Sequence, residues 1–438
     1  MRKLSRREFC GLLAGVTGLA AAACAQTTAS PAASSGRQAG APAPREVKIG
    51  VVYPLSGPAA SAGLDDKYGV ELAAEIVNGK YDLNLPLARD EGLPNLGGAK
   101  IALVVADHQG KPDVAQAEVE RLITQEGVVA VIGAYQSQLT ATASQVAERF
   151  GIPFVNPESA APSLTERGFK WFFRVGPHEA TAARNMFELM RALERSGRAR
   201  IRTIGIVYEN TLFGTDAYKA DKQYAQEYGY DVVVEVPYPA NTSDVSSEVQ
   251  KIKAANPDVI MQASYLADAV LFLRTYKRLD VNPQMILAHD GGFADPDYVK
   301  TAGKDGDYII TRNAWSVALA ERKPVARAVN DLFRSRYGRD MSDVSARSFI
   351  GLLVLADAIN RAGSTDPERI RQALLETNLP GDQLITHWQG VKFDEKTHQN
   401  IYASWVFDQV IDGRYYTVWP PEVAVRDLLW PMPNWSQR

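Results

Sequence analysis

From residue 47 onward the hydrophobic pattern changes period repeatedly, with short β-branched runs alternating with longer segments of helical spacing. A chain patterned in this way lays its strands parallel, because each strand is followed by a helix that carries the chain back before the next strand begins. The first series places strands at 47–52, 101–106, 128–132 and 153–155, with helices at 64–77, 114–125 and 140–149. A second series places strands at 202–207, 231–236, 259–262, 285–288 and 308–311, interleaved with helices at 213–227, 243–254, 267–278 and 296–302. So many parallel strands without a sequence repeat divide better between two α/β lobes than into one sheet. Beyond Trp315 the pattern turns to helices at 324–337, 344–362 and 367–376, then to strands at 403–408 and 415–419. Six of the seven tryptophans lie at or after Trp315, and their scatter favours core packing over a carbohydrate-stacking face. Segment 79–100 is too long for a simple αβ connection and reads as an insertion at a lobe edge.

The chain before residue 47 has another character. Arg2, Lys3, Arg6 and Arg7 precede an apolar run from Gly11 to Ala23 that is too short to span a bilayer, so residues 1–23 read as a signal peptide. The string Ser5-Arg6-Arg7-Glu8-Phe9 is similar to a twin-arginine export motif, and Ala21-Ala22-Ala23-Cys24 resembles a lipoprotein cleavage box, with Ala21 where Leu is usual. Cys24 is thus the expected lipidation site, with plain cleavage near the alanines as the alternative. Residues 24–46 then form anchor cysteine and linker, since small polar residues and Pro bury too little apolar surface to fold. At about 3.3 Å per residue, the 21 residues from Ala25 to Arg45 reach at most roughly 70 Å from a membrane anchor.

Cys10 and Cys24 are the only cysteines of the 438 residues, so the folded body has no thiol for a zinc site or a disulfide. The five histidines show no HExxH spacing, and there is no GxSxG elbow, no GxxxxGK[ST] phosphate loop and no GxGxxG after a strand. No metal and no cofactor is expected. A formal net charge of -3 argues against nucleic acid as a partner. Four residues instead fall just beyond the carboxyl ends of expected parallel strands, where α/β proteins bind ligands: Ser137, Ser159, Tyr265 and Asp290. Ser137 precedes a helix and could hold a carboxylate or merely cap. Ser159 sits in a Pro-flanked turn, and Asp290 precedes two glycines, so turn chemistry competes with ligand contact at both. Hydroxyls on one wall with an acid and an aromatic on the other suit a zwitterion. The pair His289-Asp290 is the one arrangement worth checking for catalysis, and without a positioned nucleophile the chain does not read as an enzyme.

At this point the residues resemble a family. The strings Ile49-Gly-Val-Val-Tyr-Pro-Leu-Ser-Gly-Pro58, Gly133-Ala-Tyr-Gln-Ser137, Phe150-Gly-Ile-Pro-Phe-Val-Asn-Pro157, Ser163-Leu-Thr-Glu-Arg-Gly168 and Ile204-Gly-Ile-Val-Tyr-Glu-Asn-Thr-Leu-Phe-Gly214 are similar, in order and spacing, to type I periplasmic solute-binding proteins of the branched-chain amino acid class. The resemblance implies two Rossmann-like α/β lobes with parallel central sheets, joined by a three-crossing hinge. It places the first lobe at 47–174 plus 313–395 and the second at 175–312 plus 396–438. It implies that Ser137 and the turn Glu158 to Ala160 hold a ligand carboxylate, that Phe213 and Tyr265 line the other lobe, and that Asp290 pairs with a ligand ammonium. Ala160 stands where Thr is frequent, with Ser159 beside it as a substitute hydroxyl; Asp290 is shorter than the usual Glu; and Ala62 replaces a covering aromatic, which implies a roomier pocket. The implied partners are a small-molecule ligand, an amino acid or similar, and the permease subunits of an ABC transporter. The implied protein is a monomer in the periplasm, tied to the membrane through its lipid anchor. A binder of an aromatic acid or amide, or a sensor signalling to a membrane receptor, are the alternatives.

Overall fold

β1 (Glu46–Tyr53) alternates buried and exposed residues only at its start; from Ile49 to Tyr53 every side chain is buried, the mark of a strand covered on both faces. The computed structural model describes residues 44–438. The expected signal peptide, Cys24 and nearly all of the linker lie outside the described residues.

The chain continues through α1 (Ala60–Asn78), β2 (Lys100–Asp107), α2 (Pro112–Thr124), β3 (Ala130–Gly133), α3 (Ser137–Phe150), β4 (Phe154–Asn156) and β5 (Phe172–Arg174). These strands form one parallel sheet in the order β2-β1-β3-β4-β5. Next come α4 (Glu179–Arg195), β6 (Thr203–Glu209), α5 (Leu212–Tyr228), β7 (Asp231–Tyr238), α6 (Ser246–Ala255), β8 (Val259–Ala263), α7 (Leu266–Leu279), β9 (Met285–Ala288), α8 (Tyr298–Ala302) and β10 (Ile310–Asn313). The last stretch holds α9 (Val317–Ala320), α10 (Pro324–Tyr337), α11 (Asp343–Ala362), α12 (Pro367–Leu375), the pair β11 (Asn378–Pro380) and β12 (Gly390–Lys392), then β13 (Val406–Ile411) and β14 (Arg414–Trp419). The second sheet runs β14-β13-β10-β9-β8-β6-β7, parallel from β10 to β7 and antiparallel at β13 and β14.

The first core is organised by α11. Ser342 caps it in a reciprocal pair with Ser345, Gly363 ends it in the left-handed region, and only Asp357, Asn360 and Arg361 escape burial along its length. α1 crosses it at Gly69, where an added Cβ would lie 2.2 Å from the Ser345 carbonyl oxygen. The insertion at 79–100 folds back on this pair: Leu85, Ala88, Leu93 and Leu96 are buried in the same core, and Asn360 Oδ1 accepts the Asn95 N–H at 2.9 Å.

Three differences from the expected elements have local causes. β5 has only three residues, too few for a period of two to show. α4 was not among the expected helices, although Ala182, Met186, Leu189, Met190 and Leu193 make a buried stripe at helical spacing. α3 begins at Ser137 rather than at 140, so Ser137 is its first helical residue and Gln136 the cap. Trp315, Trp388, Trp405 and Trp435 are buried core residues, and the indoles of Trp388, Trp405 and Trp435 donate to backbone carbonyls.

The chain passes between the sheets three times: from β5 to α4, from β10 to α9, and from β12 to β13. The crossings are stitched together. The Arg174 N–H donates to His398 O at 3.0 Å, the Asn400 N–H donates to Arg174 O at 2.9 Å, and Asn313 pairs with Val406 in register.

Candidate functional site

The carboxyl ends of β3 and β4 face those of β8 and β9 across the cleft, and the residues beyond them enclose a cavity of about 20 Å³. Ser137, Glu158 and Ala160 line it on one side; Phe213, Tyr265 and Asp290 line it on the other. Five of the six residues picked from the sequence therefore converge. The sixth, Ser159, does not line the cavity: its hydroxyl donates to Tyr135 O at 2.8 Å and pairs with Thr140 Oγ1 at 2.6 Å, so it cannot stand in for a threonine at position 160. Ala62 is fully buried and does not line the cavity.

The turn after β4 is held from several directions. The Asn156 side chain brackets it, accepting the Ser159 N–H and donating to Ser159 O, both at 2.9 Å. The Ala161 N–H reaches Ser137 Oγ at 3.3 Å. The Ala160 N–H finds no acceptor among the described residues. With the first turn of α3 beside it, this wall offers donors to an anion. On the other wall Tyr265 lies between two rings tilted against it, 5.3 Å from Phe213 and 5.8 Å from Tyr135, centroid to centroid. Gly292 behind it admits no side chain, because a Cβ would meet the Leu266 nitrogen at 2.3 Å.

Two arginines that the sequence did not single out dominate the electrostatics. Arg312, at the end of β10, donates from Nε to Glu179 at 3.1 Å and from Nη1 to Asp290 at 2.9 Å, with a further Nη2 contact to Glu179. Its guanidinium lies 3.8 Å from the centre of the Trp405 ring. Arg347, in the second turn of α11, donates to Glu158 O at 2.8 Å and to Asp290 Oδ2 at 2.8 Å, and pairs with Asp343 at 2.5 Å. Asp290 is thereby bound by two guanidiniums. Burial raises its carboxyl against the pull of Arg347 and Arg312, leaving it at about 7. Burial also raises Glu158, opposed by Arg347 and by the hydrogen bond from Tyr53, to about 8.

His289 closes the network behind the cavity. Its Nδ1 faces Glu179 at 2.6 Å and its Nε2 faces Asp221 at 2.9 Å, both buried. Burial alone would lower the imidazole, but Asp221 and Glu179 outweigh it and hold the pKa at about 9. Burial pushes Asp221 up despite His289, whereas Arg312 and His289 overcome the effect of burial on Glu179 and hold it below the usual range. This histidine is a charged strut, engaged on both nitrogens.

Both walls touch. Ser61 on α1 donates to both oxygens of Asp295 at 2.8 and 2.9 Å, and the Ser163 N–H donates to Asp216 at 3.1 Å. A larger groove of about 590 Å³ on the hinge flank, beside Trp315 and Tyr416, contains none of the residues expected from the sequence.

A profile described as periplasmic binding protein matches residues 46–414. The chain belongs to the periplasmic binding protein family. Within it, this periplasmic binding protein is 30% identical over 402 residues to Leu/Ile/Val-binding protein homolog 7 of Brucella abortus (strain 2308), covering 90% of this chain and 96% of that one. It superposes on the leucine-binding protein LivK of Thermotoga maritima MSB8 with a TM-score of 0.73 at 23% identity, over 86% of this chain and 99% of that one. A solute-binding protein from R. palustris solved with benzoate gives 0.71 at 18% identity, over 89% and 97%. The type I fold with two parallel-sheet lobes, expected from the sequence, is the one found. Family and fold are those of extracytoplasmic solute binders of the Leu/Ile/Val-binding type.

Proposed function

We propose that this periplasmic binding protein captures an amino acid or a related small carboxylate-bearing organic between its lobes and delivers it to an ABC-type membrane permease. The lobes are read as 47–174 with 313–395 and 175–312 with 396–438, a division supported by one core that unites β1, α1 and α11 and separate cores around β6 and β8. The twin-arginine leader would export the chain, and acylation at Cys24 would hold a monomer near its permease through the linker. One observation carries the reading: the free Ala160 N–H, the Ser137 hydroxyl and the N-terminus of α3 converge on one small cavity that the other lobe closes with Tyr265, Phe213 and Asp290. A ligand that touches both walls only in the closed form drives closure by its differential affinity. The ring trio Tyr135, Phe213 and Tyr265 favours an aromatic acid as the second reading. Native mass spectrometry of the purified protein, followed by thermal shift with the identified compound, tests the assignment. A copurified ligand without a carboxylate, or total indifference of Tm to amino and aromatic acids at millimolar concentration, would count against it.

A further inference from the structure

An α-ammonium has three N–H donors and needs acceptors around it. In this cleft the carbonyls of the turn after β4 and one oxygen of Asp290 are already taken. Glu158 O receives Arg347 at 2.8 Å, Ser159 O receives Asn156 Nδ2 at 2.9 Å, Ala160 O receives the Glu179 N–H at 2.9 Å, and Ala161 O receives Arg174 at 2.6 Å. Asp290 Oδ2 receives both Arg312 and Arg347. Its Oδ1 stays unpartnered, but an ammonium placed there would compete with two guanidiniums for the carboxylates of Asp290, Asp343 and Glu179 that already pair with them. The Glu158 carboxyl offers no easy alternative, since burial raises its pKa, which favours the neutral form, and the Tyr53 hydroxyl already donates to it. What the cavity does offer is donors: the Ala160 N–H and the Ser137 hydroxyl, beside Arg347, which lines the cavity and whose buried Nε has no partner among the described residues.

We infer that Arg347 fills the place a ligand ammonium would take, and that the cleft therefore selects small carboxylic acids bearing an acceptor oxygen at the 2-position, 2-oxo acids foremost, over the corresponding amino acids. This rests on the cleft being the ligand site. The carboxylate takes the donors of the Ser137 wall, and the 2-oxo oxygen accepts from Arg347 Nε, where an amine would present protons to a proton donor. An amino acid of the same skeleton loses that bond and adds a charge that competes with Arg312 and Arg347 for the same carboxylates.

The test compares matched pairs on the full chain by isothermal titration and thermal shift: leucine with 4-methyl-2-oxopentanoate, and phenylalanine with phenylpyruvate. In at least one pair the oxo acid is expected to bind at least tenfold tighter than its amino acid. Arg347→Met should narrow or reverse that preference, because it frees Asp290 and Glu158 O for an ammonium. An amino acid that binds as tightly as its oxo partner in every responding pair overturns the inference and leaves the cleft reading standing. Silence of all four compounds overturns the inference, and silence of the wider panel of amino and aromatic acids overturns the cleft reading as well. The wild-type comparison decides the matter even if the substituted protein fails to fold.

Discussion

Gly69→Ala is the smallest perturbation that reaches the site through the fold. The new methyl would lie 2.2 Å from Ser345 O and 2.3 Å from Ser348 Oγ, where ordinary contact begins at 3.4 Å. Ser348 Oγ can rotate, although it would lose its bond to Asp66 O at 2.8 Å. Ser345 O is backbone inside α11 and can move only with the helix. The two helices must part by about 1 Å, and overpacking of this kind costs about 1–3 kcal/mol. The better helix propensity of Ala returns at most about 1 kcal/mol of that. A net loss of about 1–2 kcal/mol in a lobe of this size corresponds to a Tm lower by roughly 2–8 °C. Because Asp343 and Arg347 ride on α11, the same displacement loosens Arg347 from Asp290, so ligand affinity should fall along with stability. Differential scanning calorimetry and urea denaturation measure the first effect, and titration with the copurified ligand measures the second. An unchanged Tm would refute the tight helix crossing; a lowered Tm with unchanged affinity would refute the mechanical link from α11 to the cleft.

Other expectations follow from individual contacts. His289, held at about 9 against an unfolded value near 6.5, stabilises the fold fully below pH 6.5 and loses that contribution as the pH rises through 9, about 3 kcal/mol in all. Glu158 and Glu209, both pushed to about 8 by burial, shift stability in the same direction, so unfolding free energy should fall steadily from pH 6 to 9. His289→Gln should flatten the slope, and a level wild-type profile would sink the assignment. Ser61→Ala removes a partly buried bond to Asp295 that exists only with the walls together; ligand should bind about five- to tenfold more weakly, mainly through faster release in stopped-flow traces, while Tm without ligand changes little. Ser159→Ala leaves Tyr135 O and Thr140 without their partner and should cost about 1–3 kcal/mol in denaturant melts, more than a surface serine would.

The period changes along the chain were enough to find the parallel strands that aim Ser137, Tyr265 and Asp290 into one cavity, because residues beyond strand ends are placed by topology alone. Arg312 obeys the same rule at the end of β10 and was legible on that ground. Arg347 offered a fainter trace, the one charged residue between Asp343 and Asp357 in the stretch that becomes α11, and its reach to Asp290 depends on how α11 lies against both sheets. Ser159 shows the converse limit. Its position in the turn was visible, but the direction of its hydroxyl is set by Thr140 and Tyr135, which no spacing rule brings together. Asp290 was picked for its charge, and only the packed structure shows that one of its oxygens already receives two guanidiniums.

The stitching of the crossings, Arg174 to His398 and Asn400, Asn313 beside Val406, has a mechanical consequence. Segments bonded side by side cannot slide or splay separately, so the two halves keep a single angular coordinate. The gap at Ser61 and Asp295 and the gap at Ser163 and Asp216 must then widen and narrow together. A membrane partner gripping the rim at two distant points would read one angle, and that angle would report occupancy whatever the chemistry of the cargo.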